Sequence, residues 1–271
     1  MKSNIANAGI GVFDSGVGGL TVLRAIHQQF PSEQLLYVAD STHAPYGERE
    51  TGYIADRCLA IAQFLQQQPV KALVVACNTA SVVALSRLRD TFQLPIIGIE
   101  PAIKPAASVT RSGVVGVLAT SQTMQSHSVK RLCELYGQDV DIILQPCPGL
   151  VDHIERAELK SQHTTRLLQE YLTPLIDKGV DTIVLGCTHY PFVSDVIKEI
   201  VGSSVTVIEP GTSVARQLGR RLDELNLRTI SSTGTSDQRV TFYSTGNAED
   251  TATIISSLWG HAVSVHPIQN V

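Results

Sequence analysis

The chain predicts an α/β protein built from two copies of one strand–helix unit, with parallel sheets covered by helices. Three observations predict it. First, strand-like runs of Val, Ile and Leu alternate with helix-period segments along almost the whole chain. Such alternation implies crossover connections and hence parallel sheets. Second, three features recur at nearly one offset. Gly11-Val-Phe-Asp-Ser15 resembles Gly116-Val-Leu-Ala-Thr120, the turn at Cys77 resembles the turn at Cys187, and Ile99-Glu-Pro101 resembles Ile208-Glu-Pro210. Third, both Ile-Glu-Pro segments read as crossings, because proline biases the residue before it away from helix. The expected units are residues 1–99 together with 210–271, and residues 100–209, each of ordinary domain size.

Taken in order, strand-like runs fall near 10–14, 35–40, 72–77, 95–99, 113–119, 140–145, 182–187 and 205–208. Each is apolar and rich in β-branched residues, as a strand buried on both faces requires. Helix-period stretches lie between them over 20–30, 51–68, 82–92, 122–136, 161–176 and 192–201. After the second crossing come a helix over 213–225, a strand over 239–244 and a helix over 250–259. That tail is short for an independent domain, so it is expected to return and complete the first unit. The polar run Ser231-Ser-Thr-Gly-Thr-Ser-Asp237 reads as a surface loop.

Bulk properties exclude several classes. The 271 residues are 43% apolar and 17% charged, which fits a folded globular chain and not a disordered one. A net charge of −4 offers no basic field for nucleic acid. The start, Met1-Lys-Ser-Asn-Ile-Ala-Asn7, has no apolar core, so no signal peptide is expected. The short stretch before the first strand offers little material for a regulatory segment. No apolar run approaches the roughly 20 residues of a membrane helix. Five cysteines, an odd number without a Cys-x-x-Cys pair, argue against a disulfide framework and against a zinc site. A reducing cytoplasm is the expected compartment.

Ligands of parallel sheets bind beyond the carboxyl ends of the strands, where Asp14, Asp40, Cys77, Thr120 and Cys187 fall. Ala72-Leu-Val-Val-Ala-Cys77 and Thr182-Ile-Val-Leu-Gly-Cys187 each deliver a thiol to a point where a helix is expected to begin. Free N–H groups there favour a thiolate and suit a carboxylate ligand. A lone buried cysteine more often only packs; two matched turns favour chemistry. Cys58 and Cys133 lie in helical patterns and read as packing residues; Cys147 lacks a matched turn. His189 either assists proton transfer at Cys187 or braces the turn before Pro191. The loop Asp14-Ser-Gly-Val-Gly-Gly-Leu20 lacks phosphate-loop spacing, so its glycines read as sites of close backbone approach. Asp14 then binds an ammonium, supports a thiol or stabilises the turn. Pro45-Tyr46-Gly47 supplies a fixed bend with exposed amides, or an ordinary turn.

Four motifs resemble the cofactor-independent aspartate/glutamate racemase family: Phe13-Asp-Ser-Gly-Val-Gly-Gly-Leu-Thr21, Ala44-Pro-Tyr-Gly47, Ala76-Cys-Asn-Thr-Ala-Ser81 and Gly186-Cys-Thr-His-Tyr-Pro191. They span most of the chain in the family's order. The resemblance implies two doubly wound, mostly parallel αβα domains related by pseudo-symmetry, with the active site in the cleft between them. It implies racemisation of glutamate at Cα without pyridoxal phosphate or metal. Cys77 would take the proton from D-glutamate and Cys187 from L-glutamate, the other cysteine standing ready as a thiol. Asp14 would assist Cys77 and His189 would assist Cys187. Glu155 either assists or is an exposed helix carboxylate. Asp14, Ser15, Tyr46, Gly47, Asn78, Thr79, Thr120, Thr188 and His189 would surround the substrate.

The resemblance further implies D-glutamate supply for peptidoglycan, and with it a part in cell-wall biogenesis and cell shape. It is compatible with a homodimer. Oligomeric arrangement and activation by a cell-wall precursor vary among family members. Two departures are Ser41-Thr-His-Ala44 and Gly149, where a bulkier residue is common. Three alternatives stay open: a racemase of aspartate or another amino acid, a cysteine hydrolase using Cys187 and His189, and a non-catalytic amino-acid-binding protein.

Overall fold

A computed structural model describes residues 8–229, 239–268 and 271. The chain opens with β1 (Gly9–Asp14), α1 (Leu20–Gln29), β2 (Leu35–Ala39), α2 (Thr51–Gln66), β3 (Val70–Val75), α3 (Asn78–Thr91) and the two-residue β4 (Ile96–Ile97). It crosses to α4 (Ile103–Val109), β5 (Val114–Ala119), α5 (Ser121–Gln125), α6 (His127–Tyr136), β6 (Asp141–Pro146), α7 (Leu150–Glu155), α8 (Gln162–Asp177), β7 (Thr182–Leu185), α9 (Ser194–Val201) and β8 (Thr206–Ile208). It returns through α10 (Gly211–Glu224), β9 (Val240–Ser244), α11 (Ala248–Trp259) and β10 (Val265–Pro267). One sheet has the order β10-β9-β2-β1-β3-β4 and the other β6-β5-β7-β8. All pairings in both sheets are parallel.

Both faces of each sheet are covered, which is why the central strands read as unbroken apolar runs. Successive side chains of β1 point to opposite faces. Ile10 and Val12 join Leu20, Leu23 and Ile26 of α1 and Leu218 of α10. Phe13 joins Ile61 and Leu65 of α2 and Ala84 and Leu88 of α3 on the other face. In the second sheet Leu118, Ile183 and Leu185 pack against α8 and α9 through Leu168, Leu172 and Ile197. Val115, Val117 and Val184 pack against Ile103, Ala106 and Val129. Each such side chain, fully buried, contributes about 1.5–3 kcal/mol. The α/β class is therefore as expected, with two αβα layers.

Several elements differ from the periodicity reading. The helix expected over 122–136 is broken at Ser126, which is extended (φ −65, ψ 147) and caps α6 by accepting from Val129 N. A serine that can satisfy a free helix N–H starts a new helix there. α4 stands where prolines had signalled only a crossing; Pro105 lies in its first turn, where no intrahelical N–H bond is lost. β10 is three residues long and ends in proline, too short to show alternation. The segments Met1–Asn7 and Ser231–Asp237 lie outside the described residues. Among the described residues no helix is long and apolar enough to cross a membrane.

Candidate active site

The carboxyl ends of β1, β3, β5 and β7 place Asp14, Cys77, Thr120 and Cys187 on facing ends of the two sheets. Four polar contacts stitch these ends together. Thr188 Oγ1 donates to Asp14 Oδ2 at 3.2 Å, and Thr21 Oγ1 donates to the Thr188 carbonyl at 2.9 Å. Val17 N donates to Glu155 Oε1 at 2.8 Å, and the Thr79 and Thr120 hydroxyls lie 2.9 Å apart.

Cys77 is the N-cap of α3, with extended backbone (φ −127, ψ 124). Its Sγ accepts from Ala80 N at 3.4 Å and lies 3.8 Å from Ser15 Oγ. α3 thus begins at Asn78, four residues before the apolar periodicity, because the thiol itself supplies the cap. The sequence expectation of a favoured thiolate is corrected here. Burial, followed by the neighbouring Asp14 carboxylate, pushes the Cys77 thiol well above its ordinary range. The Ala80 N–H pulls the other way but does not prevail.

Cys187 is not equivalent. No helix follows it directly: Pro191 sits at the start of a 3-10 turn, Tyr190–Val193, and α9 begins only at Ser194. What backs this thiol is an imidazole. Cys187 Sγ and His189 Nδ1 are 3.7 Å apart, and His189 Nε2 lies 2.5 Å from Glu155 Oε1. Burial works against a charged ring, but hydrogen bonds to Cys187 and Glu155 and the Glu155 charge outweigh it. His189 is held well above the ordinary histidine range. Glu155 is therefore no idle helix carboxylate; it joins α7, His189 and the Val17 amide.

The glycine loop makes this approach possible. A Cβ on Gly16 would lie 1.9 Å from Glu155 Oε1, and one on Gly18 would lie 2.3 Å from His189 Nδ1. The loop glycines are sites of close approach, with side chains as the neighbours. Asp14 is fully buried and accepts from Ser15 N at 2.7 Å, from Gly19 N and from Thr188. Burial raises its pKa, against the opposing effects of His189 and Cys77.

The remaining candidates divide by how their polar atoms are used. Asn78 is 2% exposed, and neither amide atom has a hydrogen-bond partner. A buried amide that no other protein group among the described residues satisfies calls for an explanation. Thr79 and Thr120 share a buried hydroxyl cluster with Thr123, which the sequence reading missed. The signal was available: Thr120 caps α5 by accepting from Thr123 N, so the two threonines face one another. Tyr46 commits its hydroxyl to Asp40 Oδ2 at 2.5 Å. Arg57 and Thr245 occupy the same carboxylate. Tyr46 thus spends its hydroxyl proton within the loop, and Asp40 braces that loop. Gly47 abuts Thr120, whose Cγ2 would lie 2.8 Å from an added Cβ. Gly149, one of the departures, is left-handed (φ +76) at the N-cap of α7, a conformation that favours glycine. Cys58 and Cys147 are buried and Cys133 partly so. Among the described residues no group of three or more His, Cys, Asp or Glu is placed to hold a metal ion.

The family model described as Asp/Glu/Hydantoin racemase matches residues 10–218. The chain belongs to that racemase family. Its similarity extends to a protein named glutamate racemase from Ectopseudomonas mendocina, 48% identical over 264 residues, covering 97% of this chain and 99% of that one. A crystal structure of a glutamate racemase from Bacillus anthracis is 34% identical with a TM-score of 0.87, covering 97% and 98% of the two chains. One from Francisella tularensis, solved in complex with D-glutamate, is 28% identical with a TM-score of 0.84, covering 97% and 98%. Within this racemase fold the two thiols stand on facing strand ends, one backed by a buried carboxyl and the other by an imidazole–carboxylate pair.

Proposed function

We propose that this racemase interconverts L- and D-glutamate by proton transfer at Cα between two thiols, Cys77 and Cys187, without pyridoxal phosphate or metal. The observation that carries the reading is the pairing of two buried thiols, each with its own titratable partner, beside an amide with no partner of its own. A single fixed base cannot readily serve both faces of the α-carbon, whereas two thiols on facing sheets can. One abstracts the α-proton as thiolate while the other delivers its proton to the opposite face.

His189, in hydrogen-bond contact with both Cys187 and Glu155, assists proton transfer at Cys187. When Cys187 is the base, L-glutamate is the substrate and Cys77 is the acid. In the reverse direction Asp14, whose own pKa is raised by burial, takes part at Cys77. Ser15, Asn78, Thr79, Thr120 and Thr188, with backbone amides of Tyr46 and Gly47, surround the substrate. Fixed donors in a dry site hold the carboxylates and stabilise charge developing toward the carbanion. Glutamate is favoured over aspartate because relatives that cover nearly the whole chain carry the glutamate name.

The reading takes residues 1–99 with 210–271 as one domain and 100–209 as the other, in keeping with the division of strands between the two sheets. It assigns the enzyme to the cytoplasm, to D-glutamate supply for peptidoglycan, and to a homodimer. The test is polarimetry of purified protein with each enantiomer of glutamate and of aspartate, with no added cofactor. Inversion of both glutamate enantiomers to a common racemic end point is expected. Inversion of aspartate in preference to glutamate would overturn the substrate assignment.

A further inference from the structure

The two thiols are equally buried, but their titratable partners differ in how they reach solvent. Asp14, the partner of Cys77, is fully buried and enclosed by Ser15, Gly19 and Thr188. The partner of Cys187 leads outward. His189 is buried, but Glu155, hydrogen-bonded to its far nitrogen, keeps 18% of its side chain exposed. Glu155 lines an open cavity of about 450 Å³ between α7 and the first sheet, with Val17, Thr42, Pro45, Asp152, Arg156 and Asp250. Its lining includes polar groups of Thr42, Asp152, Glu155, Arg156 and Asp250, and it is large enough for many waters. Cys187, His189 and Glu155 therefore form a continuous chain of exchangeable positions from the buried thiol to the surface: Sγ, Nδ1, Nε2 and Oε1.

A two-thiol racemase needs such a path. After L-glutamate is converted, Cys187 is left as a thiol and Cys77 as a thiolate, the wrong form for another L-glutamate. We propose that Glu155 is the port through which Cys187 exchanges its proton with solvent between turnovers; the proposal rests on the two-thiol reading above. With His189 neutral and its N–H on Nε2, the S–H bond of Cys187 breaks as N–H forms at Nδ1. The Nε2–H bond breaks as O–H forms on Glu155, which loses the proton to water in the cavity. Cys77 is reprotonated by water that enters as product leaves. Glu155 acts through His189, so it is a positioning and relay residue and not a group that touches substrate.

Glu155→Gln keeps the shape and the acceptor oxygen for Val17 N and His189 but cannot carry the proton. Rapid-mixing kinetics with excess L-glutamate separate relay from structure. The expected result in the variant is a burst of up to one D-glutamate per active site, within about three-fold of the wild-type single-turnover rate. A steady state slower by at least about ten-fold follows. Imidazole or formate, small enough for the cavity, restores it; wild type is linear and indifferent to both. Equal losses in the burst and the steady state, with no rescue, would overturn the proposal and leave Glu155 merely orienting His189. An unchanged steady state would overturn it as well. A wild-type protein that racemises no glutamate at all would instead overturn the functional reading.

Discussion

At Cys77 the thiol caps a helix beside a buried carboxyl; at Cys187 it rests on an imidazole. The two half-reactions accordingly have different demands. Asn78 is the residue most open to a direct test. Its amide is buried and bonded to no other protein group among the described residues, so Asn78→Ala breaks no bond within the protein but removes the one expected to a charged ligand. Such a bond is worth about 1.5–3 kcal/mol, so steady-state assays should show KM for glutamate raised about 10- to 100-fold. A KM unchanged in both directions would remove Asn78 from the substrate site. Much of this scale was legible in the sequence: thiols at strand ends, His189 two residues on, and Glu155 in a matching segment. What was not legible was direction. Tyr46 lies in the right loop, yet its hydroxyl turns to Asp40, a contact made 6 residues away that no local pattern announces.

Among the elements, the glycine loop after β1 and the short helix α7 depend on one another. Glu155 rests where a side chain on Gly16 would be. Gly16→Ala should leave the circular dichroism spectrum intact while lowering kcat by roughly 100-fold, the cost of misplacing a supporting group by about 1 Å. Retained kcat would show that the Glu155 contact is dispensable. At α6, Ser126→Ala removes the cap that splits the expected helix. A loss of about 1 kcal/mol follows, seen as a midpoint roughly 2–4 °C lower in thermal denaturation. Periodicity revealed that a helix lay there but not its break, since one hydroxyl acting on Val129 N leaves the apolar spacing unchanged. α4 and β10 were missed, and β4 is shorter than the strand expected over 95–99, for a related reason: elements of two to seven residues hold too few turns or alternations to show a period.

For the whole molecule, the internal repeat was legible as a repeat of sequence, but the joining of the two sheets was not. The joints are single long-range contacts such as Val17–Glu155 and Thr79–Thr120. Glutamate bound at these joints should raise the thermal midpoint with concentration, by an amount equivalent to about 2.7 kcal/mol at one hundred times Kd. Acid stability has its own marker in Asp181 at the foot of β7. It accepts from Thr110, Arg111 N, Ser112 N and Thr182. Burial raises its pKa, but these bonds lower it more, to below the ordinary 3.8. A depressed folded pKa stabilises above the unfolded value and is lost as pH falls beneath it. Denaturant titrations should therefore show stability declining below pH about 4, with a shallower decline in Asp181→Asn.

The two thiols are the centre of the account, and isotope transfer tests them most directly. Wild type, Cys77→Ser and Cys187→Ser are each incubated with each glutamate enantiomer in D₂O without cofactor, and optical rotation and α-deuteration are followed together. The account predicts inversion with deuterium entering the product in wild type, and near-complete loss of racemisation in both variants. Full racemisation by either single variant would contradict it.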